Sequence, residues 1–221
     1  MASTEERTTK AALVERMKMA GIIAIMRHTD PALTRQTVDA LLAGSVHVVE
    51  VTMNSEGAAD TLQELAVAYQ DDVLLGAGTV LTVSSAEQAL SAGARFIVAP
   101  NTDQQVIALC GQRDVPVVPG ALTPTEVVTA WQHGADLVKI FPAGGLGPRY
   151  LRDLRGPLGD IPFVPTGGVT LDNAADFMRA GAAALGVGSD LVHRDLVDQR
   201  DFATITARAK GFVAAVAEGR R

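Results

Sequence analysis

The chain has little of three features that would place it in a specialised class of protein. It contains a single cysteine, Cys110, which excludes an internal disulfide and a cysteine-rich zinc site and fits a reducing compartment. No stretch approaches about 18 uninterrupted apolar residues, as a membrane helix requires. The polar start, Met1 to Lys10, lacks the apolar segment of a signal peptide. We therefore expect a cytoplasmic protein without a membrane span.

Aromatic side chains are also scarce, and the net charge is negative rather than positive. Aromatic residues make up only 4 % of the chain, whereas glycine occurs 21 times, which suggests many tight turns between elements. The formal net charge of −6 argues against nucleic-acid binding, although a few cations and backbone amides could still hold a small anion. The length of 221 residues suits one domain over residues 1–221, with frayed ends at 1–8 and 218–221.

Eight short β-branched runs alternate with alanine- and leucine-rich runs along the whole chain. The eight predicted strands are Ile22–Met26, Val46–Val51, Val73–Ala77, Arg95–Ala99, Pro116–Val118, Leu137–Phe141, Ile161–Pro165 and Ala184–Val187. Their starts lie 21 to 27 residues apart, about the length of a strand, a helix and two loops. This regularity predicts repeated βα units and a single (β/α)8 barrel of the TIM type, an α/β fold.

Helix boundary signals agree with the repeat. Asp30 followed by Pro31 predicts an N-cap and first position of a helix that runs to about Ala43 and stops at Gly44. An additional helix, about Thr9–Ala20, precedes the first strand. We expect this extra N-terminal helix to cover the bottom of the barrel.

Lys139 is a lone lysine in the otherwise apolar predicted strand Leu137–Phe141. Burying an ammonium group is costly unless the group is paired or loses its proton. A lysine with a lowered pKa is the amine nucleophile that imine chemistry needs. The alternative is a lysine that pairs with a buried carboxylate for structure only, and the strand context by itself leaves both interpretations open.

Glu50 lies near the end of the second predicted strand, on the same face as Val48 and Thr52 by side-chain alternation. If this face points to the barrel interior together with Lys139, a carboxylate that moves protons lies beside an amine that forms an imine. These two groups are the minimum set for carbanion chemistry next to a carbonyl. The alternative is a structural ion pair. A position near strand ends, where barrels carry their active sites, favours the catalytic interpretation.

Two glycine pairs lie at the ends of the last two predicted strands. They are Gly167 with Gly168, and Gly186 with Gly188, which comes just before Ser189. Glycines let backbone N–H groups approach an anion, a following helix N-terminus adds its dipole, and these two loops often hold phosphate in barrels. Tight turns without a ligand are the alternative. The histidines show no metal-ligand spacing, so no metal site is predicted.

Six motifs at the predicted strand ends together resemble the 2-keto-3-deoxy-6-phosphogluconate aldolase family. The motifs are Val49–Thr52, Gly76–Val80, Pro119–Gly120 with Thr123–Glu126, Val138–Ala143, Pro165–Val169 and Gly186–Ser189. The resemblance extends from about Ile22 to Val192. The same family includes 4-hydroxy-2-oxoglutarate and 2-keto-3-deoxy-6-phosphogalactonate aldolases.

The resemblance implies a class I aldolase that needs no cofactor and no metal, binds a phosphorylated 2-keto-3-deoxy sugar acid and pyruvate, and assembles as a homotrimer. Lys139 would form the Schiff base, and Glu50 would act as general base and acid. The implied substrate contacts are Arg27, Asn54, Thr79, Pro100, Phe141 and Thr166, and the implied phosphate contacts are Gly167, Gly168, Gly188 and Ser189. Arg27 and Thr79 would hold the carboxylate end.

Two residues leave the natural substrate open. Asn54 stands where gluconate-type members often carry arginine, and galactonate-type members also have asparagine there. Thr166, in contrast, matches the gluconate type. We expect reversible cleavage of 2-keto-3-deoxy-6-phosphogluconate to pyruvate and glyceraldehyde 3-phosphate. The galactonate epimer and 4-hydroxy-2-oxoglutarate are alternative substrates, and a phosphate-binding barrel without covalent chemistry is the non-enzyme alternative.

Overall fold

The computed structural model describes residues 9–27 and 30–221, so the expected fraying of residues 1–8 lies outside the described residues. The helices are α1 Lys10–Ala20, α2 Pro31–Ala43, α3 Ala58–Tyr69, α4 Val83–Ser91, α5 Gln104–Gln112, α6 Pro124–Gln132, α7 Gly147–Arg155, α8 Leu171–Arg179, α9 Arg194–Asp198 and α10 Phe202–Gly219. The strands are β1 Ile22–Met26, β2 Val48–Thr52, β3 Leu74–Gly78, β4 Ile97–Val98, β5 Val117–Val118, β6 Gly120–Ala121, β7 Val138–Ile140, β8 Phe163–Pro165 and β9 Leu185–Val187.

These strands form two parallel sheets. A six-stranded sheet has the order β5-β4-β3-β2-β1-β9, and a three-stranded sheet has the order β6-β7-β8. A single bridge between Thr166 and Gly186 joins the end of β8 to β9. Helices connect successive parallel strands, as the repeated βα units predict. The chain therefore has an α/β fold.

The fifth predicted strand was incomplete, because the sequence pattern ended it at Val118 and the structure adds β6 after an interruption at Pro119. Proline has no N–H to donate and cannot continue the hydrogen-bond ladder on both sides. The Pro119 carbonyl instead accepts from the Lys139 N–H at 2.9 Å. The interruption turns the chain from one sheet to the other, since β5 pairs with β4 and β6 pairs with β7.

Two apolar clusters occupy the two faces of the sheets. The larger one lies between strands and surrounding helices. The smaller one, here called the inner cluster, consists of Leu13, Val14, Met17, Ile23, Val48, Leu74, Phe96, Val98, Val118, Leu137, Val164 and Ala184. The inner cluster draws members from both sheets and from α1. The extra N-terminal helix thus buries its apolar side against one end of the strands.

Alternation along the strands places polar side chains directly above the inner cluster. Val48 and Leu137 belong to this cluster, and Glu50 and Lys139 follow two positions later on the same faces. Thr166 follows its own cluster member in the same way. An apolar layer therefore lies beneath the buried polar side chains, while the strand ends open on their other side.

Helix ends follow the local signals in the sequence. Thr9 caps α1 by accepting from the Ala12 N–H, and Asp30 caps α2 by accepting from the Ala32 N–H at 2.9 Å. Gly44 follows α2 as predicted. Among the described residues, none of the helices is long and apolar enough to cross a membrane.

The C-terminal end differs from the expectation that residues 218–221 are frayed. Helix α10 continues to Gly219, which is buried, and an added Cβ there would lie 2.4 Å from the Met178 Cβ. Arg220 donates to the Met19 carbonyl at 2.8 Å and also to the Lys18 carbonyl. The last turn therefore packs against α8 and is hydrogen-bonded to α1, contacts that the local sequence pattern does not encode.

Two glycine-to-alanine substitutions test how tightly the Phe96 ring of the inner cluster is packed. Gly76→Ala would place a Cβ 2.4 Å from the Phe96 ring, whereas Gly111 in α5 has open space around it. We expect Gly76→Ala to lower the free energy of unfolding by roughly 1–3 kcal/mol through overpacking. Gly111→Ala should raise it by about 0.5–1 kcal/mol because alanine favours helix. Urea denaturation measures both, and equal stabilities for the two variants would contradict the packing described.

Candidate active site

Lys139 is almost completely buried in the middle of β7, with 4 % of its surface exposed. Its neighbours in register are Gly120 on β6 and Val164 on β8. Burial lowers the pKa of the Lys139 amine from its ordinary 10.5, the nearby Glu50 carboxylate raises it, and Arg27 lowers it further. The net lowering favours the neutral amine, which is the form that attacks a carbonyl carbon.

Glu50 is the second buried ionisable side chain, on β2 with 1 % of its surface exposed. Burial raises the pKa of its carboxyl group, while Lys139 and Arg27 lower it. Its Oε1 atom has no hydrogen-bond partner among the described residues. A buried carboxylate oxygen without a partner is unfavourable in a resting fold, and it leaves an acceptor ready for a proton or a substrate hydroxyl.

Gly78 makes room for the Glu50 carboxylate. A Cβ at position 78 would lie 2.3 Å from Glu50 Oε1 and 2.7 Å from its carboxyl carbon. No side chain larger than hydrogen fits there unless the carboxylate moves. The glycine in the Gly76–Val80 motif therefore sets the position of the acid on the neighbouring strand.

Arg27 lies at the end of β1 and brings two further predicted residues together. Its Nη1 donates to Asn54 Oδ1 and its Nη2 donates to Thr79 Oγ1, both at 3.4 Å. Thr79 has a φ of +56°, which is unusual for a β-branched residue and is concentrated at functional sites. The three side chains form one polar group beside Glu50. The Arg27 guanidinium is the cation of this group.

Thr166 is buried at the end of β8, with 4 % of its surface exposed. Its hydroxyl donates to the Val164 carbonyl at 3.2 Å, so the hydroxyl oxygen can still accept a hydrogen bond. A Cβ at Gly186 would lie 2.2 Å from Thr166 Oγ1. Gly186 therefore leaves the space that this hydroxyl fills.

Phe141 covers the lysine from one side. The Lys139 Nζ atom lies 5.1 Å from the centre of the Phe141 ring, and 36 % of the Phe141 surface is exposed. A Cβ at Gly167 would approach the same ring to 3.1 Å. The ring thus stands between the amine and the first glycine loop.

Gly167 and Gly168 have consecutive left-handed backbones, with φ values of +80° and +77°. The Gly167 carbonyl accepts from the Gly144 N–H at 2.7 Å, and the Gly168 carbonyl accepts from Asn173 Nδ2 at 2.9 Å. An added Cβ at Gly168 would lie 2.6 Å from the Gly144 Cα. Both carbonyls are therefore committed to partners within the protein.

The second glycine loop follows β9. The Gly188 carbonyl accepts from the Leu191 and Val192 N–H groups, each at 2.9 Å. Gly188 is half-buried and Ser189 is exposed. The bridge between Thr166 and Gly186 lies directly before both loops, which places them side by side.

Pro100 lies one strand away from the lysine. A Cβ at Gly120 would lie 2.3 Å from the Pro100 carbonyl carbon and oxygen, so the loop after β4 crosses the backbone that pairs with Lys139. Among the residues described, no group of three or more histidine, cysteine or acidic side chains has the arrangement of a metal site.

Sequence patterns predicted which side chains are candidates for catalysis, but not the residues that support them. Gly78 and Gly186 stand in predicted motifs, yet only the structure shows that they give space to Glu50 and Thr166. Gly144, which fixes the Gly167 carbonyl, is one of two adjacent glycines after β7, and that pair was a usable signal. Asn173 carried no signal beyond its place in the first turn of a helix.

Comparisons with known proteins agree with this arrangement. Residues 13–208 match the family described as KDPG and KHG aldolase. A 2-dehydro-3-deoxy-phosphogluconate aldolase of Treponema pallidum is 36% identical over 199 residues, which cover 88% of this chain and 91% of that protein. A 2-dehydro-3-deoxy-6-phosphogalactonate aldolase of Escherichia coli K12 is 35% identical over 196 residues, covering 88% and 96%.

A solved structure extends the comparison to the fold. The KDPG aldolase of Legionella pneumophila, with pyruvate captured as a covalent carbinolamine intermediate, superposes with a TM-score of 0.85 at 26% identity, covering 93% of this chain and 98% of that one. The fold and these relatives define the class of protein as an aldolase, a carbon–carbon lyase. The chain belongs to the KDPG and KHG aldolase family.

The position of Arg27 predicts a shift in the pH dependence of turnover. Arg27 lowers the pKa of Glu50, so Arg27→Ala should raise that pKa. If ionised Glu50 is the base, the acidic limb of the kcat profile should lie above pH 4.5, the ordinary value of a glutamate, and move to higher pH in Arg27→Ala. Arg113→Ala, which removes an exposed partner of Glu87, is the control. An unmoved acidic limb in Arg27→Ala would contradict the electrostatic contact.

Proposed function

We propose that this chain cleaves 2-keto-3-deoxy-6-phosphogluconate reversibly to pyruvate and glyceraldehyde 3-phosphate through a Schiff base on Lys139. The observation that carries the proposal is a buried amine with a lowered pKa beside a buried carboxylate. Relatives named for this reaction and a neighbouring structure with covalently captured pyruvate support it. A phosphate-binding barrel without covalent chemistry would have no need of this buried pair.

We also propose that the two sheets close into one (β/α)8 barrel with α1 at its base. If β5 and β6 count as one strand interrupted at Pro119, the described residues form eight strands. Support comes from the bridge between Thr166 and Gly186 at one junction and from the pairing of β6 with β7 at the other. The inner cluster, which includes residues of both sheets, would then fill the barrel interior.

The first half of the proposed reaction uses Lys139. Its neutral amine adds to the C2 carbonyl of the substrate and gives a carbinolamine, which loses water to form a protonated imine. The imine nitrogen then accepts the electron pair of the C3–C4 bond as that bond breaks. An enamine of pyruvate remains attached to the lysine, and the C4 carbon leaves as the aldehyde of glyceraldehyde 3-phosphate.

The second half uses Glu50. Its carboxylate takes the proton of the C4 hydroxyl as the C3–C4 bond breaks, and returns a proton to C3 of the enamine. Water then hydrolyses the pyruvate imine and frees the amine. The unpartnered Oε1 atom is available for both transfers, and burial keeps the pKa of Glu50 closer to neutrality than that of an exposed glutamate.

The remaining predicted residues divide between the two ends of the substrate. We propose that Arg27, with Asn54 and Thr79, holds the C1 carboxylate, and that Phe141 and Pro100 flank the imine. The hydrogen bonds that join Arg27 to the other two support the first assignment. For the phosphate end we propose the N–H groups of the two glycine loops, with contributions from Gly167, Gly168, Gly188 and Ser189.

Lys139→Met should abolish cleavage while the protein stays folded, because methionine fills the volume but cannot form an imine. Borohydride reduction in the presence of pyruvate, followed by intact-mass spectrometry, should show one adduct in the parent protein and none in the variant. An adduct that persists in Lys139→Met would place the covalent chemistry on another residue. A parent protein without any adduct would favour the non-enzyme alternative.

Glu50→Gln should retain adduct formation with pyruvate and lose turnover. The amide keeps the size of the side chain but cannot exchange protons, so we expect a loss of roughly 10²–10⁴-fold in kcat. Exchange of the pyruvate methyl protons with solvent deuterium, followed by NMR, isolates this step. Exchange within a few-fold of the parent rate would exclude Glu50 as the proton carrier.

The two C4 epimers remain the closest competing substrates, since relatives act on each. We propose that the gluconate epimer is preferred, with measurable activity on the galactonate epimer. Thr166 supports this, because its hydroxyl is buried and its oxygen can still accept a hydrogen bond. Activity on unphosphorylated 4-hydroxy-2-oxoglutarate would be secondary, because it leaves the glycine loops empty.

Thr166→Val should shift the ratio of kcat/KM towards the galactonate epimer. Loss of one buried hydrogen bond corresponds to about 1–3 kcal/mol, or roughly 5- to 150-fold, enough to change a preference. Asn54→Arg is the comparison variant, and it should move both epimers in the same direction because Asn54 bonds Arg27 at the other end. An unchanged epimer ratio in Thr166→Val would show that its hydroxyl does not read C4.

We propose a cytoplasmic homotrimer on the strength of the family resemblance. The single cysteine fits a reducing compartment. Cys110 is buried, and burial raises its pKa to about 11. Multi-angle light scattering of the purified protein tests the trimer directly.

A further inference from the structure

The first turn of α8 contacts both glycine loops. From this turn, Asn173 donates through Nδ2 to the Gly168 carbonyl at 2.9 Å, and its Oδ1 accepts from the Thr170 N–H at 2.9 Å. One side chain thus caps the helix and fixes the preceding loop. Its two functions use different atoms, so they can be separated by substitution.

Asp190 makes the corresponding contact from the second loop. Its Oδ2 accepts from the Leu171 N–H, the first of α8, at 3.0 Å. Arg208 on α10 donates to the Asp190 carbonyl at 2.8 Å. The first N–H of α8 is therefore bonded to a carboxylate of the protein.

The hydrogen bonds fix the direction of the loop backbones. With the carbonyls of Gly167, Gly168 and Gly188 bonded inside the protein, these peptide groups have one set orientation. In the described parts of the chain, no oxygen accepts from the N–H groups of Gly168, Gly188 or Ser189. The Gly168 N–H shares a peptide group with the Gly167 carbonyl, and the Ser189 N–H shares one with the Gly188 carbonyl. These two donors are therefore oriented by the loops and remain available to an anion.

We infer that Asn173 and Asp190 are positioning residues for the phosphate end of the substrate, which fasten the two glycine loops to the start of α8 and so set the spacing of their N–H donors. The inference rests on the proposed function, because it presupposes that the loops bind phosphate. Neither side chain needs to touch the substrate. Their contribution is the relative placement of two loops that come from different strands.

Conservative variants separate positioning from helix capping. Asn173→Asp keeps the acceptor for the Thr170 N–H but loses the Nδ2 donor to Gly168, whereas Asn173→Ala loses both. Asp190→Asn keeps an acceptor for the Leu171 N–H, whereas Asp190→Ala removes it. Because Asn173→Ala adds no charge, agreement between the two Asn173 variants excludes simple repulsion of phosphate. Asp172→Ala, an exposed acid in the same turn, is the matched control.

The measurement is kcat and KM for phosphorylated and unphosphorylated 2-keto-3-deoxygluconate, with the inhibition constant of inorganic phosphate and the Tm of each variant. We expect both Asn173 variants and Asp190→Ala to raise KM for the phosphorylated substrate roughly 3- to 10-fold, as loss of one hydrogen bond implies. In these variants the preference in kcat/KM for the phosphorylated substrate should fall by the same factor, and inorganic phosphate should inhibit more weakly than it inhibits the parent. Asp190→Asn and Asp172→Ala should behave as the parent.

Four results would overturn the inference. An Asn173→Asp variant with the parent's phosphate preference would make Asn173 a cap only. Equal losses on both substrates, or a lower Tm without a change in KM, would mean general damage to the fold. A parent enzyme without phosphate preference or phosphate inhibition would contradict the proposed phosphate site, and the inference with it. If the parent enzyme does prefer the phosphorylated substrate, unchanged variants would contradict only the positioning roles of Asn173 and Asp190.

Discussion

The site depends on the burial of two ionisable groups, an amine and a carboxyl group, above one apolar layer. Lys139 and Glu50 lie two residues beyond members of the inner cluster, and both are almost completely buried. Burial alone would neutralise each of them, while each stabilises the charge of the other. The balance of these effects sets the protonation of an amine and a carboxyl group that interact electrostatically. Such a pair costs folding free energy, and strongly perturbed pKa values are concentrated at functional sites.

Glycines that leave space for a neighbouring side chain are as important to the site as the ionisable residues. Glu50 occupies the space beside Gly78, Thr166 occupies the space beside Gly186, and the Phe96 ring fills the space beside Gly76. Each of these glycines lies on a neighbouring strand rather than next to its partner in the chain. A polar layer can therefore be packed tightly without moving the strands apart. Gly120 acts in the same way, because its missing Cβ lets the loop after β4 cross the backbone beside the lysine.

Local patterns in the sequence predicted what depends on neighbours in the chain. Alternation and spacing located the strands, and the capping pair Asp30 and Pro31 located the start of α2. A lone lysine in an apolar strand identified Lys139 for a physical reason, since its burial needs an explanation. The break at Pro119 was missed because its effect depends on which strand lies on either side. The bonds of Asn173 to a loop and of Asp190 to a helix link separate strand ends, and no periodicity reveals them.

Lys139 and Glu50 each shift the pKa of the other, and a direct titration tests this coupling. In protein labelled with ¹³C at the glutamate carboxyl carbons, Glu50→Gln identifies the Glu50 resonance by its loss. We predict that Glu50 titrates above its ordinary 4.5 in the parent protein, and at still higher pH in Lys139→Met, where the cation that lowers its pKa is gone. A Glu50 resonance that titrates at or below 4.5, or at the same pH in both proteins, would contradict the coupling.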